Sequence, residues 1–217
     1  MYVIIDNGHG SNTAGKRSPD GVLREYAWTR EIAKELQLRL AVAGIQSELL
    51  VPELKDISLA TRCTRANNIC KKHGGAGKCI LVSIHANAAG SGKWMLAGGW
   101  AAYTTKGVTK ADTLATKLYE AAQESLKDYV ELMAKGKTQG KYSAAQKPFR
   151  TDYTDGDADQ EEGFYILKHT TCPAVLTENL FQDNREDVQY MLSAQGKSNI
   201  VQLHVNGIKA YIKSMEG

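Results

Sequence analysis

The chain has 217 residues, with 27 Lys and Arg against 24 Asp and Glu, and a formal net charge of +3. That excess is too small for a nucleic-acid partner, and no dense basic stripe with interleaved aromatics is present. No apolar stretch reaches the roughly 20 residues of a membrane span. The length fits one domain, and such a chain buries roughly 70% of its unfolded surface without a disulfide or structural metal.

In chain order the sequence predicts a strand over 2–6, a helix over 25–43, a strand over 45–51, a helix over 57–72 and a strand over 79–85. A strand over 98–104, a helix over 108–133, strands over 163–168 and 173–178, and a helix over 196–214 complete the set. Strands alternating with helices imply an α/β fold: a single domain, 1–217, with a mostly parallel twisted sheet of about six strands and helices on both faces. The run Cys79 to Ile84 is apolar without alternation, as expected of a strand covered on both sides. Ile32, Leu36, Leu38, Leu40 and Val42 form the apolar stripe expected of the first helix, which stops at Gly44.

Residues 134–162 form a polar insertion rich in Lys, Gly, Gln, Asp and Glu, read as a solvated mobile loop that leads directly into the strand at 163; the sequence leaves open whether it covers the site as a lid. Its acidic run from Asp152 to Glu162 suggests calcium, but an EF-hand loop starting at Asp155 has Gln160 where Gly is required. The cysteines, Cys63, Cys70, Cys79 and Cys172, include no Cys-x-x-Cys pair and read as reduced core residues. No secretory signal is visible at the N-terminus, which gives the expectation of synthesis in the cytoplasm.

Four residues stand at element ends. His9 follows the first strand between Gly8 and Gly10, His85 closes the third, Glu178 closes the run from Pro173, and Glu25 opens the first helix. Parallel strands bring their carboxyl ends to one rim, where open α/β sheets bind ligands. Two imidazoles and a carboxylate suit zinc with a position left for water, so His9, Glu25 and His85 are candidate ligands. Glu178 is the candidate general base and acid. The structural alternatives are a hydrogen-bonded histidine at either position and a salt bridge at Glu178. His73, His169 and His204 read as structural.

Asp6-Asn7-Gly8-His9-Gly10, Glu25 at a helix start, Ser83-Ile84-His85-Ala86-Asn87-Ala88 and Pro173 to Glu178, followed by Phe181 and Asn184, resemble the zinc-dependent N-acetylmuramoyl-L-alanine amidases. The run Ser58-Leu59, Arg62, Ala66-Asn67 is similar to theirs as well. The resemblance spans residue 2 to about 212 and includes cell-separation, spore-wall and phage-lysis enzymes. It implies that His9, Glu25 and His85 bind Zn2+ and that Glu178 is catalytic. The implied substrate is peptidoglycan, cut at the amide between the lactyl group of N-acetylmuramic acid and L-Ala of the stem peptide. It further implies action on the cell wall, reached by export or lysis-dependent release, and the expected state is a monomer.

Asn87, Arg62 and Trp94 are candidate substrate contacts, Trp94 by stacking on a sugar ring. Two positions depart from the family pattern: Asn7 replaces Pro or Ala, and Leu180 replaces Gly, a change expected to reshape the pocket floor. A zinc carboxypeptidase, needing Arg62, Arg65 or Arg150 for a terminal carboxylate, and a non-catalytic wall-binding module are the competing readings.

Overall fold

The computed structural model describes residues 1–90 and 92–215. Its elements are β1 (Tyr2–Asn7), α1 (Glu25–Val42), β2 (Ser47–Leu49), α2 (Leu59–Lys72), β3 (Cys79–Asn87), β4 (Trp100–Thr104), α3 (Lys110–Ser125), α4 (Lys127–Thr138), β5 (Gln160–Glu161), α5 (Tyr165–His169), β6 (Ala174–Phe181), α6 (Arg185–Leu192) and α7 (Ala194–Ser214). The six strands form one sheet in the order β2-β1-β3-β6-β4-β5. β2, β1, β3 and β6 run parallel, and β4 is antiparallel to β6. The chain leaves β1 toward β2 on one side and reaches β3 on the other, so the crevice that such a reversal opens lies at the carboxyl ends of β1 and β3.

Alternate residues of each central strand enter different cores. Val3, Ile5, Ile80, Val82 and Val175 pack with α1, α3 and α7, whereas Ile4, Leu81 and Leu176 pack with α2 and α5. All four cysteines are free and buried, as the sequence predicts, and all join the α2 side. On α1 the buried stripe is Trp28, Ile32, Ala33, Leu36 and Leu40; Leu38 and Val42 face solvent, because they fall off that helical row.

Several elements differ from the sequence expectation, among them α6, a helix it does not contain, capped by the Asn184 side chain. The strand expected over 163–168 is instead α5, with β5 serving as the sheet edge. Ile166 and Leu167 are buried side by side while Phe164 and Tyr165 are exposed, a pairing that strand alternation cannot produce. The helix expected over 108–133 bends at Leu126 into α3 and α4. That bend seats Leu126, Tyr129 and Met133 in the main core. The polar insertion is only partly a solvated loop: α4 continues to Thr138, and Tyr142 is buried with its hydroxyl donating to Asp187 at 2.6 Å.

A buried charge cluster fastens the end of β1 to α2. Arg62, only 3% exposed, pairs with Asp6 at 2.5 Å and Asp56 at 2.7 Å. Its terminal nitrogens also donate to the carbonyls of Asn7 and His9. Ser83 on β3 donates to the other Asp6 oxygen, so one carboxylate joins two strands and a helix. Removing one partner of a buried pair leaves the other charge unpaired and costs about 3–5 kcal/mol. Arg62→Met is therefore expected to lower the melting temperature by roughly 6–20 °C at this chain length. A residue acting only on substrate would raise KM and leave that temperature unchanged.

Candidate metal centre and active-site cleft

His9 lies two residues beyond β1 with φ 61°, a left-handed conformation that costs a non-glycine residue about 1–2 kcal/mol. The strain is held by arginines: the His9 carbonyl accepts from Arg30 at 2.9 Å and Arg62 at 3.3 Å. Thr29, the neighbour of Arg30 on α1, donates to the Gly8 carbonyl. The flanking glycines make room for protein rather than for ligand. A Cβ on Gly8 would stand 2.4 Å from the His85 ring, and one on Gly10 would stand 1.9 Å from the Asp56 backbone nitrogen.

Glu25 is the first residue of α1 and is 1% exposed. Its Oε1 lies 3.4 Å from His9 Nε2 and 3.2 Å from His85 Nδ1, and accepts the Ala86 N–H at 3.0 Å. Gln182 donates to Oε2 at 3.0 Å and to the Ala86 carbonyl. The His9 and His85 rings meet edge-on, their centroids 5.0 Å apart. One ligand atom from each of His9, Glu25 and His85 lies within 4.8 Å of the others, a spacing that a single divalent cation can bridge.

Burial opposes ionisation of Glu25, yet the two imidazoles outweigh it and hold the carboxyl well below its usual range. Burial likewise opposes charge on His85, but its hydrogen bond and attraction to Glu25 raise it overall. The buried Glu25 carboxylate therefore favours positive charge beside its Oε1. This donor set suits a cation, which supplies that charge while the imidazoles stay neutral.

Glu178 is registered directly opposite His85 between β6 and β3. Its Oε2 is buried without a hydrogen-bond partner. Burial pushes its carboxyl up to about 7, against the pull of His85. Asn179 next to it fixes the β3 backbone by donating to the His85 carbonyl, and itself accepts from the Trp100 indole.

A cleft of about 410 Å³ joins these groups. His9, His85 and Glu178 share its lining with Lys16, Asp56, Phe164 and Tyr165, among others. The sequence alone does not single out Lys16, Phe164, Tyr165 or Gln182: it predicts a strand where α5 forms, and Gln182 reaches Glu25 across 157 residues. Arg62 touches the cleft, but both its terminal nitrogens are spent on protein partners. Asn87 and Trp94 are outside the lining. The Asn87 side-chain Oδ1 accepts from the Ala88 N–H, and Trp94 packs beneath the Arg185 guanidinium at 4.3 Å.

Leu180 does not form the pocket floor that its departure from the family pattern suggested. It is fully buried in the main core at φ 69°, a conformation natural to the glycine it replaces. Asn7 donates to the Val51 carbonyl, a bond that neither Pro nor Ala can make. His204 is buried between Thr177 and the Ile200 carbonyl, and burial lowers it to about 4. His73 stacks on Tyr2 and His169 on Tyr165, so none of the three joins the His9–Glu25–His85 cluster.

The N-acetylmuramoyl-L-alanine amidase family profile matches residues 3–210. The N-acetylmuramoyl-L-alanine amidase CwlM of Bacillus licheniformis is 26% identical over 210 residues, which cover 96% of this chain and 67% of that protein. The N-acetylmuramoyl-L-alanine amidase of Clostridium difficile 630 superposes with a TM-score of 0.74 at 24% identity, over 99% of this chain and 97% of that one. The catalytic domain of CwlV from Bacillus (Paenibacillus) polymyxa var. colistinus gives 0.72 at 18% identity, over 98% of each chain. At such identities the structural likeness speaks for the fold, and the family assignment rests on the profile. The chain belongs to the N-acetylmuramoyl-L-alanine amidase family.

Proposed function

We propose that this protein is a zinc-dependent amidase acting on the peptidoglycan of the cell wall. It would hydrolyse the amide between the lactyl group of N-acetylmuramic acid and L-Ala of the stem peptide. The observation that carries this reading is the pairing of two features at one rim: the His9–Glu25–His85 donor set, and the unpartnered buried oxygen of Glu178 facing the same cleft.

His9, Glu25 and His85 are the proposed ligands. When bound there, zinc supplies a Lewis acid that polarises the scissile carbonyl and makes water more acidic. Gln182 and the Ala86 N–H orient Glu25, the support that metal ligands ordinarily need from their neighbours. Glu178 Oε2 takes the proton of the attacking water and passes it to the amide nitrogen as the peptide leaves. Burial raises that carboxyl in the metal-free protein, and a cation held beside it would favour its ionised, proton-accepting form. Phe164 and Tyr165, partly exposed along the cleft, offer apolar faces to the glycan or peptide. Lys16 brings a positive charge close enough to favour the ionised form of Glu178.

Substitution separates the two roles. Glu178→Ala is expected to retain one zinc per chain and the wild-type melting temperature while losing about 10²–10⁴-fold in turnover of peptidoglycan. His85→Ala is expected to lose both zinc, measured by atomic emission, and activity. Near-wild-type turnover by Glu178→Ala would refute the assignment of the base.

The raised Glu178 carboxyl also predicts a pH dependence in the metal-free protein. Its folded value of about 7 exceeds the ordinary 4.5, so the folded state keeps a proton that the unfolded chain releases. Stability is then lost as pH rises from about 4.5 through 7. In chelated protein, Glu178→Gln should raise the melting temperature more at pH 8 than at pH 5; an equal change at both would place that carboxyl at its ordinary value.

A further inference from the structure

The acidic run that fails as an EF-hand comes together in another way. Asp157 and Asp159 approach Asp112 from the first turn of α3, and one carboxylate oxygen from each lies within 4.8 Å of the other two. Asp159 and Asp112 are buried, at 4% and 6% exposure. Asp159 Oδ2 accepts from the Thr104 hydroxyl, but its Oδ1 is buried with no hydrogen-bond partner among the described residues. Among the described residues no Lys, Arg or His forms an ion pair with any of the three.

Three carboxylates this close repel one another, and buried charge without a partner costs several kcal/mol. Burial, together with the neighbouring Asp157, accordingly drives the Asp159 carboxyl upward. Two arrangements relieve the cluster: a proton shared between Asp157 and Asp159, or a cation among all three. Asp112 is held in the α3 capping box, its oxygens accepting the Thr109 N–H and hydroxyl, so a shared proton answers for Asp157 and Asp159 but adds nothing between them and Asp112. A cation answers for all three and gives the orphaned Asp159 oxygen a partner.

We infer that Asp112, Asp157 and Asp159 form a second cation site, distinct from the His9–Glu25–His85 centre. The donors are all oxygen, which selects a hard cation over zinc. They lie on a helix turn and a loop, and that irregular arrangement suits calcium, which tolerates variable geometry where magnesium demands an octahedron. The ion would tie the end of the 139–163 segment to α3, beside the β4–β5 pairing of Tyr103 with Gln160 and Thr104 with Glu161. Phe164, in the cleft lining, follows three residues after β5. The site therefore anchors the chain just before the cleft wall, and its existence does not depend on the amidase mechanism.

The test is calorimetric titration of calcium chloride into the zinc-loaded full chain, with parallel melting curves. The expected result is saturable binding at one site with Kd of about 0.1–1 mM, and a rise in melting temperature of several degrees. Asp157→Asn and Asp159→Asn should each abolish the heat and the calcium-dependent rise while zinc content stays at wild type. Neither should melt below the calcium-free wild type, because each removes a repelling charge, so loss of binding cannot be ascribed to unfolding. No saturable heat up to about 10 mM calcium would overturn the site and leave a proton-sharing carboxyl pair. Calcium binding that survives in both variants would place the ion elsewhere and overturn it equally.

Discussion

The constraint on which the site depends is the burial of Glu25. An ionised carboxylate at 1% exposure is tolerable only if its oxygens are partnered, and the fold supplies two imidazoles, the Ala86 N–H and the Gln182 amide. Those partners come from the β1 loop, from β3 and from the segment after β6, so satisfying one side chain fixes three strand ends around the start of α1. Neutralising Glu25 alone would leave His9 and His85 without the group that faces both. The second buried cluster, Asp6–Arg62–Asp56, works on the same rim from below. It holds the His9 carbonyl, and with Arg30 keeps His9 in its left-handed conformation.

The strands that carry the site were legible because local composition suffices for them. β1, β3 and β6 are apolar on both faces, and the polar residues that interrupt those runs fall at the rim where parallel strands end. Glu25 was legible for a similar reason, as an acidic residue opening a long amphipathic helix. The departures arise where distant contacts decide. Four adjacent residues, Phe164 to Leu167, read as a strand by apolar content, yet α2 and β6 bury only Ile166 and Leu167 and wind them into a helix. Arg62 carries the charge of a substrate clamp, but Asp6, 56 residues away, claims it. Trp94 has the surface of a sugar platform, and Arg185 covers it. The polarity of 134–162 concealed Tyr142, which reaches Asp187 across 45 residues.

The cleft joins two unlike walls. One is the sheet rim, where His9, His85 and Glu178 are held by buried hydrogen bonds and by strand register. The other is Phe164 and Tyr165, at the end of a long segment tied to the sheet by the two-residue β5 and by side chains such as Glu161, which accepts from the Gly107 N–H. Chemistry placed on the rigid wall keeps its geometry, while contacts to a polymeric substrate can fall on the wall with fewer ties. Leu180 belongs to the rigid side: its strained backbone is held by complete burial in the core, so the departure from glycine is absorbed by packing.

The proposed role of a metal held by His9, Glu25 and His85 is to direct hydrolysis to one amide. It is tested most directly by digesting purified peptidoglycan with the protein as isolated, after chelation and after zinc is restored, and identifying the soluble fragments by mass spectrometry. The expected products are stem peptides with a free L-Ala amino terminus, absent after chelation and recovered with zinc. Fragments cut within the peptide, or release that continues undiminished in the chelator, would contradict it.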